Sequence, residues 1–244
     1  MLDVHPPHET AHTWRDFFIH IATICIGLLI AIALEQAVEV LHHRHERKVL
    51  VQEMRAESER NITLLQTDID RNLEKAAWHL AVMNSLHTTA PHDGVVTAAL
   101  PAHEPFLPQI SPSRAVWSVA KTNGKVALLS EREAEIYDRL DSEAQGESLS
   151  DDRQNIALTA LQGQVIRLNI RLDSGSTIKL PAAEVPALTQ DLADTVAAAE
   201  ADAYRCAFYL GASRAVAAGV HDREDFLPYL QQERLALEKR LANR

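Results

Sequence analysis

The sequence has few of the residues on which disulfide-stabilised, β-rich and nucleic-acid-binding proteins depend. Its only cysteines are Cys25 and Cys206, which are not expected to pair, so we expect no disulfide framework. Cysteine usage therefore does not indicate whether the protein lies in an oxidising or a reducing compartment. Eight glycines and 5% aromatic residues are few for a β-sandwich, whereas abundant Ala, Leu, Glu and Arg favour helices. A net charge of −10 argues against a nucleic-acid partner, because phosphates would remain unneutralised.

The sequence also lacks motifs that indicate a known catalytic chemistry. Paired carboxylates, a Gly-rich phosphate loop, a Cys-x-x-Cys pair and a Ser/His/Asp arrangement do not rise above background. We therefore expect neither enzymatic activity nor a cofactor. The composition, 46% hydrophobic and 24% charged, is otherwise typical of a globular protein.

What the sequence does contain is one long apolar run near its N-terminus. Residues 17–34 (FFIHIATICIGLLIAIAL) include no Asp, Glu, Lys or Arg. As a helix, about 18 residues rise about 27 Å, close to the hydrocarbon thickness of a bilayer. We predict a single transmembrane helix here, with its juxtamembrane extension over residues 17–41.

Two other interpretations of this run remain. A buried core helix would usually carry a polar stripe, but the run has only His20, Thr23 and Cys25 among its apolar residues. A cleaved signal peptide would begin with a basic segment, but residues 1–16 contain three acidic side chains against Arg15 alone. Both are less consistent with the sequence than a membrane anchor.

Small residues recur on one face of the predicted transmembrane helix. Thr23, Gly27 and Ala31 are spaced four residues apart, and small residues at this spacing let another helix backbone approach closely. The pattern favours self-association or a partner helix. The alternative is chance, because small residues are common in membrane helices.

A juxtamembrane cluster of acidic residues and histidines follows the apolar run. Glu39 and His42 have the Glu-x-x-His spacing of di-iron helical bundles, and His45 lies close by. Such a metal site needs a second motif, and Glu9-x-x-His12 is in the N-terminal tail. The favoured interpretation is a polar collar whose histidines contact lipid headgroups. The alternative is a metal site, within one chain or shared across a dimer.

We predict an all-α fold: a transmembrane helix that continues into a long helical stalk, then an antiparallel helical bundle. A heptad pattern from Ile62, with Asn72 and His79 among its apolar positions, is broad enough for a bundle helix. The predicted segments are a flexible tail at 1–16, the anchor at 17–41, a charged stalk and first bundle helix at 42–89, a Pro-rich connection at 90–112 and the bundle at 113–244.

Capping patterns predict where the later helices begin and end. Ser111-Pro112 is expected to open a short helix, and the capping box from Ser130 to Glu133 another that ends at Gly146. Further helices are expected from Ser148, from Pro186 to Gly219, and after an N-cap at Asp222 or Asp225, with residues 173–183 as a turn.

Three stretches resemble a group of uncharacterised bacterial single-pass membrane proteins with an IG(I/L)LIAL-type anchor and a helical domain of unknown function. They are IGLLIAIALEQ at 26–36, ERNITLL at 59–65 and WSVAKTNGKVALLSEREAEIYDRL at 117–140. The resemblance implies a bacterial inner-membrane location; it brings no activity with it, because the function of that group is unknown. Basic residues after the anchor (Arg44, Arg47, Lys48 and Arg55) favour a cytoplasmic C-terminal body, with a periplasmic one left open.

Three functions are compatible with these patterns. The first is a non-enzymatic, membrane-anchored interaction protein that contacts a protein partner or its own copy through the transmembrane helix and stalk. The second is a sensory or ligand-binding bundle, for which Trp117, Lys121 and Arg167 are candidate pocket residues. The third is a metal-binding protein that uses Glu39, His42 and His45.

Overall fold

The computed structural model describes residues 14–102 and 112–243. It is 82% helical, with a small two-stranded sheet, which confirms the all-α class. The described elements are, in chain order, α1 (Trp14–Thr88), β1 (Val95–Ala99), α2 (Ala115–Thr122), α3 (Glu131–Arg167), β2 (Thr177–Pro181), α4 (Val185–Ala218) and α5 (Arg223–Ala242).

Helix α1 is 75 residues long, and no proline interrupts it. Compactness divides the chain into two units, residues 1–49 and 50–244. In the described part of the first unit, only Glu46 and Val49 are partly buried. An 18-residue window of α1 has a mean hydropathy of 2.6 and none of it is buried, so the helix is long and apolar enough to cross a membrane.

The second unit is built from the C-terminal part of α1 packed with α3, α4 and α5. Its larger core contains side chains from all four helices and from α2, among them Leu65, Ile69, Trp117, Tyr137, Tyr209 and Leu230. The positions of the predicted heptad, including Asn72 and His79, are buried or half-buried in this unit. The broad apolar stripe of α1 is therefore a bundle face.

A two-stranded sheet covers a second, smaller core. Strands β1 and β2 are antiparallel, with Val96 opposite Leu180 and Ala98 opposite Ile178, and these four side chains are buried. The sequence predicts an irregular connection at 90–112 and a turn at 173–183. This was wrong, because each of the two stretches contains a β-strand. Each strand is only five residues long and contributes two inward side chains, so the local alternation is weak and the pairing depends on distant segments.

Helix α3 begins where the sequence predicts but does not end at Gly146. The Ser130 hydroxyl accepts a hydrogen bond from the Glu133 backbone N–H, and the Glu133 carboxylate accepts one from the Ser130 N–H. The helix then continues to Arg167, past the predicted second start at Ser148. A mid-helix glycine costs about 1 kcal/mol relative to alanine, and packing against α4 offsets this cost.

Contacts between elements, rather than side-chain caps, hold the N-termini of α2 and α5, although Asp222 is the N-cap residue of α5 as predicted. Helix α2 begins at Ala115 rather than after Pro112, and Ser111 lies outside the described residues. The backbone N–H of Ala115 donates a 2.9 Å hydrogen bond to the Glu57 carboxylate of α1. Asp222 has the N-cap position of α5 but makes no side-chain cap there; its carboxylate pairs with Arg132 at 3.1 Å.

Candidate functional site

The most unusual feature of the bundle interior is a group of polar side chains between α1, α3 and α4. We call Asp68, Asn72, Glu147, Gln154, Asp202 and Cys206 the interior polar cluster. Each of the three helices contributes two of these residues. Asn72 and Asp202 are 1% exposed and Cys206 is fully buried. Burying a polar group to this degree destabilises the fold unless the group is hydrogen-bonded or paired with a charge. The partners of each group therefore decide what the cluster can do.

A chain of hydrogen bonds links the cluster across the three helices. Gln154 Nε2 donates to Asn72 Oδ1 at 2.7 Å, and Asn72 Nδ2 donates to Asp202 Oδ2 at 2.8 Å. The Cys206 thiol donates to Asp68 Oδ2 with an Sγ–O distance of 3.4 Å. Asp202 Oδ1, by contrast, has no hydrogen bond of ordinary geometry among the described residues, although the Ser150 hydroxyl acts on the same carboxylate. The network fixes the Asp202 carboxylate but leaves one of its oxygens unsatisfied.

Burial favours the neutral forms of the acidic groups in the cluster. Desolvation, together with the nearby charges of Asp202 and Asp68, raises the pKa of Glu147 to about 8. Desolvation raises the pKa of Asp202 to about 6 and holds the pKa of the Cys206 thiol well above its usual value. At neutral pH, therefore, Glu147 and Cys206 are protonated.

Three members of the cluster bring potential metal ligands together. One donor atom each from Asp68, Asp202 and Cys206 lies within 4.8 Å of the others. Across residues 14–102 and 112–243, this is the only group of three or more His, Cys, Asp or Glu side chains with that geometry. Carboxylate oxygen and thiolate sulfur are both established ligands of zinc.

The metal residues predicted from the sequence are not assembled in this way. Glu39, His42 and His45 are exposed on α1, and His42 Nε2 lies 3.6 Å from a carboxylate oxygen of Glu46. The other predicted motif, Glu9-x-x-His12, lies outside the described residues. A metal site at Glu39, His42 and His45 shared between two copies of the chain stays a prediction.

The residues proposed for a ligand pocket engage partners within the chain. Trp117 is buried and its indole N–H donates to Asp138 at 3.2 Å. Lys121 forms a 2.6 Å ion pair with the Asp141 carboxylate, and its ammonium lies 6.0 Å from the Trp117 ring centre.

Arg167 is at the C-terminal end of α3, where it pairs with Glu184 at 2.6 Å. Trp117 and Lys121 are therefore neighbours, but Arg167 does not join them.

A second polar network attaches the segment before α2 to the bundle. Asn61 Nδ2 donates to the Tyr209 hydroxyl at 2.9 Å, and Asn61 Oδ1 accepts from the Ser113 backbone N–H at 2.9 Å. Burial raises the pKa of Tyr209 above its usual value. These contacts join α1, α4 and the start of α2, and we interpret the network as structural.

The residues predicted to pack against another helix in the membrane lie on a face of α1 that the described chain does not cover. Thr23 Oγ1 donates to the Ile19 carbonyl at 2.8 Å, so its hydroxyl is satisfied within the helix. A Cβ atom placed on Gly27 would meet no heavy atom within 4 Å. Thr23, Gly27 and Ala31 thus leave room for another helix.

Sequence reasoning placed Asn72 at an apolar position of the heptad but missed the cluster that contains it. The available signal was a polar residue at a core position: Asn72 in the heptad of α1, and Asp202 four residues before Cys206 on α4. No family model, curated protein or solved structure matches the chain.

Proposed function

We propose that this protein is a non-enzymatic, membrane-anchored interaction protein that acts as a scaffold or as an accessory subunit of a membrane complex. The observation that carries the proposal is the exposed apolar segment of α1. Ile24, Leu29 and Leu34 are each more than 60% exposed. Leaving one such side chain in water forgoes about 1.5–3 kcal/mol, so a run of them calls for lipid or a partner helix around it.

The small-residue face of that segment supports contact with a second helix in the membrane. A helix partner gains van der Waals contact only where backbones approach closely, and Gly27 offers open space for this. The partner helix belongs to another membrane protein or to a second copy of this chain. The stalk residues that follow the membrane segment would extend the contact.

The charge distribution supports a cytoplasmic bundle in a bacterial inner membrane. Basic residues are concentrated after the apolar segment, whereas Arg15 is the only Lys or Arg before it. Short basic flanks are retained on the cytoplasmic side during insertion. A reporter fused after Arg244 tests this orientation.

Affinity purification in mild detergent tests the interaction proposal. We expect the wild-type chain to retain a stoichiometric membrane partner, or a second copy of itself, and Gly27→Leu to lose it. Cys25→Leu is the matched control, because two residues of helix rotation put position 25 about 160° away from Gly27. Mass spectrometry identifies the partner, and the mass of the detergent-solubilised particle reveals self-association.

The result is unambiguous in either direction because a larger side chain at Gly27 meets nothing within the chain itself. Loss of the partner in Gly27→Leu with retention in Cys25→Leu supports the proposal. A bare monomer in the wild type would overturn it. Equal loss in both variants would contradict the role of the small-residue face.

A further inference from the structure

The donor atoms of Asp68, Asp202 and Cys206 are spaced like ligands of one metal ion. Cys206 Sγ and Asp68 Oδ2 are 3.4 Å apart. Two ligands on a tetrahedral zinc ion, with bonds of about 2.3 Å to sulfur and about 2.1 Å to oxygen, are separated by about 3.6 Å. We propose that these three residues form a binding site for a divalent transition-metal ion, with zinc as the best match.

The ligands project from two helices that are held in place by the bundle. Asp202 and Cys206 are four residues apart on α4 and share one face, which meets Asp68 of α1. Asn72 holds the Asp202 carboxylate, and Gln154 of α3 in turn holds Asn72. Polar contacts that orient a ligand in this way are a regular feature of metal sites.

An unsatisfied acceptor inside the cluster provides an independent indication of a cation. Asp202 is 1% exposed, and its Oδ1 atom has no hydrogen bond of ordinary geometry among the described residues, although the Ser150 hydroxyl acts on the same carboxylate as a hydrogen-bond donor and lowers its pKa. Leaving a buried acceptor unpaired costs about 1–3 kcal/mol, so native proteins rarely do so without an ion or water at the position. A metal ion bound by this oxygen removes the penalty.

The charges around the site balance only while the Cys206 thiol is protonated. Arg71 is the closest competitor for the Asp68 carboxylate, but its contact with Oδ1 is long, at 3.4 Å, and leaves Oδ2 facing Cys206. With Glu147 protonated, the charged side chains that act on the cluster are three carboxylates and three basic groups: Asp68, Asp151 and Asp202 against Arg71, Lys75 and Arg114. Deprotonation of the Cys206 thiol adds one negative charge, which a divalent ion compensates.

The chemistry of the donor set determines which ion is favoured. A sulfur ligand disfavours Mg²⁺ and Ca²⁺, which bind oxygen, and favours zinc among the abundant divalent ions. Binding replaces the S–H bond of Cys206 by a sulfur–metal bond and releases one proton to solvent. Three protein ligands leave one coordination position for water or for the neighbouring Glu147 carboxyl. The Asp68 side chain is 14% exposed and marks the route by which the ion enters.

Cobalt(II) substitution of the full-length protein in detergent is the direct test. After a chelator has removed bound metal, we expect Co²⁺ to bind with one ion per chain. The expected signature is a thiolate-to-cobalt charge-transfer band in the near ultraviolet, which zinc removes by competition. Cys206→Ser should abolish the band while preserving the helical circular dichroism. Cys25→Ser is the matched control and should leave the band unchanged.

A second variant tests the oxygen ligand independently of the thiol. Asp202→Asn preserves the shape of the side chain and should weaken zinc binding at least about tenfold, since even residues that only orient ligands contribute 10–100-fold. Absence of a cobalt band in the wild type would overturn the proposal. So would a band that survives Cys206→Ser, or one that disappears with His42→Gln and His45→Gln instead.

Discussion

At the scale of single residues, burial in the bundle raises the pKa of acidic side chains and lowers the pKa of basic ones. It raises the pKa of the Glu147 carboxyl to about 8, because the charged form loses its hydration. The same loss of hydration lowers the pKa of His79 to about 4, and the positive charge of Lys75 acts in the same direction. The neutral form of each side chain is the one that the folded bundle accommodates.

His79 therefore makes stability depend on pH below neutrality. Its pKa is 6.5 in the unfolded chain and about 4 in the bundle, so the unfolded state binds the proton more tightly. The stabilising effect of neutral His79 is present above pH 6.5 and is lost as the pH falls towards 4, by up to about 1.4 kcal/mol per pH unit. Glu147 and Asp202, whose pKa values are raised, act in the opposite direction over this range, so the His79 effect is the difference between variant and wild type. In chemical denaturation we expect the unfolding free energy of His79→Gln, relative to wild type, to rise as the pH falls from 6.5 towards 4.

His87→Gln is the control for this prediction. His87 is exposed near the end of the same helix, so its replacement should leave the pH profile unchanged. Identical pH dependence of the unfolding free energy in wild type and His79→Gln between pH 6.5 and 4.5 would contradict the prediction.

At the scale of elements, the close contact between α4 and α5 depends on the absence of a side chain at Gly211. A Cβ atom on Gly211 would lie 2.8 Å from the Leu230 Cα atom and 2.8 Å from the Tyr229 carbonyl oxygen. Both are backbone atoms, which cannot rotate away as a flexible side chain can. The two helices approach this closely because α4 has glycine and alanine at the crossing.

We expect Gly211→Ala to destabilise the bundle by about 1–3 kcal/mol, because overpacking forces α4 and α5 apart. This loss outweighs the gain of about 0.5–1 kcal/mol that alanine usually brings to a helix interior. Gly163→Ala is the matched control, since nothing lies within 4 Å of its added Cβ, and it should stabilise α3. Urea denaturation measures both; equal effects would contradict the close contact.

The elements also differ in how far the sequence predicts them. The capping box at Ser130 and Glu133 is local, since its donors and acceptors are three residues apart, and it is present as predicted. The N-terminus of α2 is capped by Glu57, which is 58 residues from Ala115, and no local pattern indicates that contact. Gly146 was misread as a helix end because its packing against Arg205 of α4 is a tertiary contact.

At the scale of the whole molecule, the two compact units differ in whether their large apolar side chains are exposed or buried. In residues 14–41 the large apolar side chains are exposed, whereas in the bundle comparable side chains form the core. One unit is therefore compatible with a lipid environment, and the other with water.

We expect the double variant Ile26→Lys, Ile30→Lys to leave the membrane fraction. Each lysine costs about 3 kcal/mol at the centre of a membrane helix, against about 0.5 kcal/mol gained from each Ile, Leu or Phe. Extraction of cell membranes at alkaline pH should release the variant and retain the wild type. Val119→Lys, Ile156→Lys is the matched control, because both residues are exposed in the bundle. Equal release of wild type and variant would contradict membrane insertion.

The sequence by itself determined the helical class, the apolar segment of α1 and the capping box, because composition, hydropathy and capping act over a few residues. Only the tertiary structure decided the pairing of β1 with β2, the cap of α2 and the assembly of Asp68 with Cys206. The last two residues are 138 positions apart, and nothing in the residues near either one indicates the other. Their proximity follows from the packing of α1 against α4, and the proposed metal site therefore depends on that packing.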